Sequence, residues 1–160
     1  EIDVKLLGGD KKRYDIILEP VQEIIQRIGE TALKEPKRKI TIEKETKSIL
    51  LPEKILFDDN TNDVLPTSAE LIRELAEFIK KELPDKKIIV EVHTSPIKSK
   101  EEDIIITQKR AEKIITLLEK YGISRDKITP VGKGSDFPIF PNDTPEGKAG
   151  NRRVYFYIQD

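Results

Sequence analysis

Histidine occurs once, at position 93, and cysteine is absent. A single imidazole with no thiol cannot build a Cys–His pair, and no Gly-x-Ser-x-Gly elbow offers a serine nucleophile. His93 reads as a structural or rim residue at a strand end. Gly132-x-Gly134 lacks the rest of a dinucleotide loop and does not open a helix, so it makes a poor phosphate cradle. Asp58 to Asp63 gathers carboxylates and amides as a calcium loop would. It lacks the mid-loop glycine and the closing glutamate such a loop needs. Glu101-Glu102-Asp103 reads as a solvated acidic run. The sequence therefore carries no catalytic constellation, and neither an enzyme, a metal nor a cofactor is expected.

The chemistry that is visible is recognition of an anion. Thr94 and Ser95 end an apolar strand. Thr107 and Arg110 fall near the expected start of a helix, where free amides and the helix dipole favour negative charge. Arg110 adds a planar fork that can pair bidentately with a carboxylate. Asn151, Arg152 and Arg153 open the last strand after a long loop. The competing reading has Arg110 satisfied internally by a nearby acid such as Asp103.

The elements that position these residues follow from hydrophobic periodicity. Leu71, Leu75, Phe78 and Ile79 form a helical stripe, with Thr67 and Glu70 as an expected capping box and Pro84 as a stop. Ile88 to Val92 is a buried strand of β-branched residues. A hydrophilic loop is expected through Asp103, then a helix from about Ile104 to Tyr121 with Gly122 in a left-handed cap. Ile128 to Val131 is a short strand, 132–135 a turn, 136–150 a loop and Val154 to Ile158 the last strand. Upstream, Ile40 to Ile42 reads as a half-buried strand, and Ile49 to Leu51 with Ile55 to Phe57 as a strand broken by Pro52. Residues 1–36 read as two short strands and a helix after Pro20.

Composition bounds the partners. Of 160 residues, 37% are charged, yet 29 basic residues against 30 acidic ones leave a net charge of −1. Neither sign dominates, so nucleic acid and anionic membrane are not expected partners. No apolar run approaches the ~18 residues of a membrane span, and no signal peptide is visible. Beginning at Glu1, the chain reads as a mature or trimmed piece whose anchor lies outside it. Abundant Lys, Glu and Ile fit either a thermophilic or an AT-rich source.

Residues from about 49 to 159 resemble the OmpA-like C-terminal domain of OmpA-type proteins, peptidoglycan-associated lipoproteins and flagellar stator B subunits. Ile55-Leu56-Phe57, Val64-Leu65-Pro66 and the amphipathic helix match its opening. Ile106-Thr107-Gln108-Lys109-Arg110-Ala111 matches its Leu-Ser-x-x-Arg-Ala segment. Gly132-Lys133-Gly134, Pro138-Ile139 and Pro141 to Val154, ending Asn151-Arg152-Arg153-Val154, are the most specific part. The resemblance implies an α+β fold, a βαβαβ-β two-layer sandwich with helices packed on a mixed sheet. Residues 1–48 would be an N-terminal extension of strand, helix and strand, and 49–160 the OmpA-like domain. It also implies a non-enzymatic periplasmic domain, tethered to the outer or inner membrane by a segment outside this chain, that holds peptidoglycan noncovalently.

In the resembled family an aspartate after the central strand and an arginine in the second helix grip the stem-peptide diaminopimelate. By position, Arg110 falls on that arginine, Thr94 on the threonine before the aspartate, and Ser95 on the aspartate itself. Asp103 stands for the usual asparagine of the helix motif, Ile105 for a glycine, and Arg153 for the second arginine of the ending. Losing one charge-assisted bond of roughly 1.5–3 kcal/mol weakens binding about ten- to 150-fold. Pro96 adds stiffness beside Ser95. Three outcomes are open. Asp103 or Glu102 takes over the charge. The ligand differs, for instance with ornithine as the third stem residue. Or wall binding is lost and the domain serves protein contacts or a homodimer.

Overall fold

Lys87–His93, the strand richest in β-branched residues, organises the sheet. A computed structural model describes residues 39–160, which make up one compact unit. Its strands are β1 (Thr41–Glu43), β2 (Ser48–Leu50), β3 (Lys87–His93), β4 (Ile128–Gly134) and β5 (Arg153–Gln159). Its helices are α1 (Pro66–Glu82), α2 (Lys100–Lys120) and α3 (Pro145–Asn151). The sheet order is β1-β2-β5-β3-β4. β3 pairs parallel with β4 and antiparallel with β5, so the sheet is mixed, as expected. Along β3, Ile88, Val90 and Val92 are fully buried. They join Ile72 and Leu75 of α1 and Ala111, Ile114, Ile115 and Leu118 of α2 in one core. This is the two-layer α+β arrangement.

Several boundaries differ from expectation for local reasons. Thr67 does not cap α1, because Pro66 takes the first helical position and Leu65 becomes the N-cap. Ser68 is used instead by the chain before the helix, its hydroxyl accepting from the Leu56 amide at 2.9 Å. α2 begins at Lys100, four residues before the expected Ile104. Ser99 and Glu102 form its reciprocal capping box, and Ser99-Lys100-Glu101-Glu102 carries that pattern openly. Gly122 ends α2 at φ +96°, with the Ile123 amide donating to the Leu118 carbonyl at 2.9 Å. Residues 132–134 finish β4 rather than forming a turn. The expected loop 136–150 contains most of α3, capped by the Thr144 hydroxyl. Ile55 to Phe57 is not a strand; only Phe57 bridges, to Val64. Ile42 lies on an exposed edge strand rather than a half-buried one.

The boundary expected between residues 48 and 49 falls inside β2, whose Ile49 pairs with Phe156 of β5. The strands and helix expected in 1–36 lie outside the described residues. Among the described residues no helix is long and apolar enough to cross a membrane.

Gly132 marks where α2 presses on β4. A Cβ there would lie 2.3 Å from the Gln108 amide nitrogen and 2.7 Å from its Cα, both backbone atoms that cannot swing away. Gly132→Ala is expected to destabilise the fold by about 2–3 kcal/mol, as overpacking does. Gly122→Ala, which meets only the flexible Lys80 side chain, should cost the smaller ~1–2 kcal/mol of a left-handed non-glycine residue. Urea midpoints of the two variants against the parent chain check the ranking.

Candidate functional site

A cleft of about 280 Å³ opens beside the end of β3, bordered by the Phe57–Asp59 segment, α2, and the residues around the start of β5. Arg110 and Arg153, both expected site residues, line it, together with Lys54, Phe57, Asp59, His93 and Arg152. A larger groove of about 530 Å³ runs along β2 and the start of β5 and shares Arg152 and Arg153, but Arg110 does not reach it.

Arg110 does not sit at the helix start. With α2 beginning at Lys100, it lies roughly three turns in, so the free amides and dipole of the N-terminus do not act on it. It is only 3% exposed. Nε donates to Asn62 Oδ1 at 3.0 Å, and Nη2 to Asp59 Oδ1 at 3.3 Å. The guanidinium carbon stands 5.2 Å from the centre of the Phe57 ring, a cation–π distance. Burial pulls its pKa below the ordinary arginine value, and the Asp59 charge works in the opposite direction. The alternative pairing of Arg110 with Asp103 does not form.

Asp103 is instead fully buried. Its carboxylate accepts from the amides of Ile97 at 3.3 Å and Lys98 at 3.0 Å, and from the Ser135 hydroxyl at 2.7 Å. Thr107, also fully buried, donates to the Asp103 carbonyl at 2.9 Å and accepts from the Gly134 amide at 2.9 Å. Both are therefore committed to holding α2 against the ends of β3 and β4. Glu102 folds back on Ser99, whose hydroxyl it meets at 2.9 Å. Thr94 and Ser95 are buried, at 2% and 3% exposure, and neither borders the cleft. Arg153 does border it, with its donors engaged by the Tyr155 hydroxyl at 2.9 Å, the Phe137 carbonyl at 2.9 Å and the Asn151 carbonyl at 3.3 Å. Asn151 clamps the preceding loop, accepting from the amides of Ile139 and Phe140.

The residues missed by spacing alone are Asp59, Asn62 and Phe57. They reach Arg110 across about fifty positions of sequence. The one signal available was the polar Asp58–Asp63 run. There Asp58 accepts from the Asn60 and Thr61 amides at 2.8 Å each, and Asn62 takes the left-handed φ of 61° that asparagine tolerates. This turn presents side chains to Arg110. Among the described residues no cluster of three metal-ligating side chains occurs.

His93 Nε2 meets Glu91 Oε1 at 2.6 Å, and its ring packs edge-on to Phe137 and Tyr155. Its Nδ1, like Thr94 Oγ1, is buried without a partner among the described residues.

The fold and cleft define a two-layer α+β domain with an arginine-floored recess at the carboxyl end of its organising strand. The chain belongs to the OmpA family, whose match spans residues 56–152. It is 33% identical over 104 residues to the peptidoglycan-binding protein ArfA of Mycobacterium tuberculosis, covering 65% of this chain and 32% of that protein. The chain thus spans about a third of that relative's length. The crystal structure of the peptidoglycan-associated lipoprotein from Burkholderia pseudomallei superposes with a TM-score of 0.60 at 23% identity, covering 67% of this chain and 91% of that one. The C-terminal domain of Helicobacter pylori MotB gives a TM-score of 0.61 at 23% identity, covering 68% and 84%. At these identities the two structures speak for the fold.

Two outcomes test the residue assignments. Asp103→Ala removes a fully buried carboxylate and with it the acceptor for two amides and a hydroxyl, so a loss of about 2–3 kcal/mol in urea unfolding is expected. For His93, burial lowers the pKa most, the Glu91 hydrogen bond raises it, and Arg153 and Lys133 lower it further. The folded imidazole thus resists a proton that the unfolded one accepts below about pH 6.5. Stability should fall as pH drops from 7 toward 5, with a His93 slope of at most about 1.4 kcal/mol per pH unit. His93→Gln should flatten that part of the urea-midpoint profile.

Proposed function

We propose that this domain associates noncovalently with peptidoglycan, taking the carboxylate of a stem peptide on Arg110. The observation that carries the reading is the buried guanidinium at the cleft. Taking an arginine out of water costs several kcal/mol unless its charge is met. Here it is met by one amide oxygen and one exposed carboxylate at 3.3 Å. Among the described residues Nη1 has no hydrogen-bond partner, which leaves donors for a planar anion. A ligand carboxylate completes that coordination. The family relationship and the peptidoglycan-binding relative support the same chemistry.

The role is binding rather than catalysis. That role belongs in the periplasm, linking an envelope protein to the wall through a tether outside this chain. The stem residue gripped is diaminopimelate or a related diamino acid such as ornithine. Ser95 brings no charge to the site, which argues for weaker binding than the aspartate-bearing pattern.

The test is co-sedimentation of the purified chain with insoluble peptidoglycan sacculi. Wild type is expected to sediment, with Arg110→Ala at least tenfold weaker and Arg110→Lys intermediate, because lysine keeps the charge and loses the fork. Circular dichroism of each variant establishes folding. Equal sedimentation of all three proteins excludes the cleft as the site. Failure of folded wild type to sediment favours a module for protein contacts.

A further inference from the structure

The free end of diaminopimelate presents a carboxylate and an ammonium on one carbon, so a site that grips both needs a cation and an acid side by side. Arg110 is the cation. The end of β3 holds no acid to match it, because Ser95 is neutral and buried. Neither Asp103 nor Glu102 fills the gap, since the first is enclosed by Ile97, Lys98 and Ser135 and the second caps α2.

We infer that Asp59 supplies the missing carboxylate, so that the acidic half of the grip comes from the loop before α1 and not from the end of β3. The inference rests on the peptidoglycan reading of the cleft. Asp59 is the only acidic side chain lining that cleft among the described residues; the other charged groups there, Lys54, Arg110, Arg152 and Arg153, are cationic. Its side chain is 90% exposed, so it is open to a ligand. Its contact with Arg110 Nη2 is 3.3 Å, longer than the about 2.7–2.9 Å of a charge-assisted bond. That spacing couples the two charges without closing them on each other. Oδ2 has no partner among the described residues, leaving an acceptor for an ammonium while Arg110 takes the carboxylate.

The position is built in advance. Phe57 bridges to Val64, the Asp58 amide donates to the Asp63 carbonyl at 2.8 Å, and the Asn62 amide donates to the Asp58 carbonyl at 2.9 Å. Asn62 and Asp59 therefore reach Arg110 from one rigid turn, so binding need not order the acid afresh. A separate observation points to a ligand here. Of the two buried side-chain atoms that lack partners among the described residues, His93 Nδ1 belongs to a residue that lines the cleft, and Thr94 Oγ1 belongs to the next residue, which is buried behind it. Unsatisfied buried polar atoms are rare in native folds and call for a partner.

The experiment titrates the chain with free meso-diaminopimelate and with pimelate, its analogue of the same length without amino groups, following amide shifts by NMR, beside sacculi sedimentation. Wild type should prefer diaminopimelate. Asp59→Asn, an isosteric change on an exposed side chain, should weaken diaminopimelate at least tenfold, leave pimelate unchanged, and abolish the preference. If wild type sediments with sacculi but Asp59→Asn binds both ligands as wild type does, or more tightly, Asp59 merely occupies Arg110 and the inference is overturned while wall binding stands. If wild type binds neither sacculi nor either small molecule, both readings fall.

Discussion

A buried carboxylate with no ion-pair partner among the described residues holds this domain together at the end that carries the cleft. Asp103 is fully enclosed, and such a charge is tolerated only when its oxygens are met by donors. The donors come from two places, the amides that lead from β3 into α2 and the Ser135 hydroxyl just past β4. One residue therefore ties three elements at a point. Thr107, one turn on, repeats the tie by donating to the Asp103 carbonyl and accepting from the Gly134 amide. Gly134 in turn accepts from the Thr94 amide through its carbonyl. The polar seam Thr94–Gly134–Thr107–Asp103 sets the height and rotation of α2 on the sheet.

Everything at the cleft inherits that rotation. Arg110 projects from the same helix three residues past Thr107, so where the seam places α2 decides where the guanidinium emerges. The close approach at Gly132, where no side chain intervenes between β4 and the α2 backbone, fixes the remaining freedom. The guanidinium then meets the Phe57 ring and the Asp58–Asp63 turn. A polar network of this kind is worth having only when satisfied, because a half-satisfied one in low dielectric costs more than an apolar replacement. The two unpartnered atoms at His93 and Thr94 stand out against a neighbourhood in which Asp103, Thr107 and Asn151 are each fully used.

Much of the fold was legible because its signals are local. The β-branched run of β3, the stripe of α1, and the glycine that ends α2 each depend on a few neighbouring residues. The resemblance was carried by Thr107 to Ala111 and by the Asn151 to Val154 ending, both short. Errors came where two local signals competed. Thr67 and Glu70 have capping spacing, but the preceding proline claimed the helix start. The acidic residues 101–103 resembled loop charge, yet one of them caps α2 and another is the buried clamp. Polarity alone does not separate a solvated acid from one whose oxygens are all taken by donors.

The sequence by itself determined the class of fold, the order of its principal elements, the family resemblance and the arginine at the centre of the cleft. Those follow from periodicity and from residue types read over short spans. Only the tertiary structure decided which acid faces Arg110 and which is hidden. Asp103 is seven residues away in sequence and points into the protein, whereas Asp59 is 51 residues away and lies beside the guanidinium. A helix separates residues seven apart by about 10 Å along its axis, while packing brings distant loops to within hydrogen-bond reach. Charge partnership is a property of that packing, so no reading of spacing along the chain could assign it.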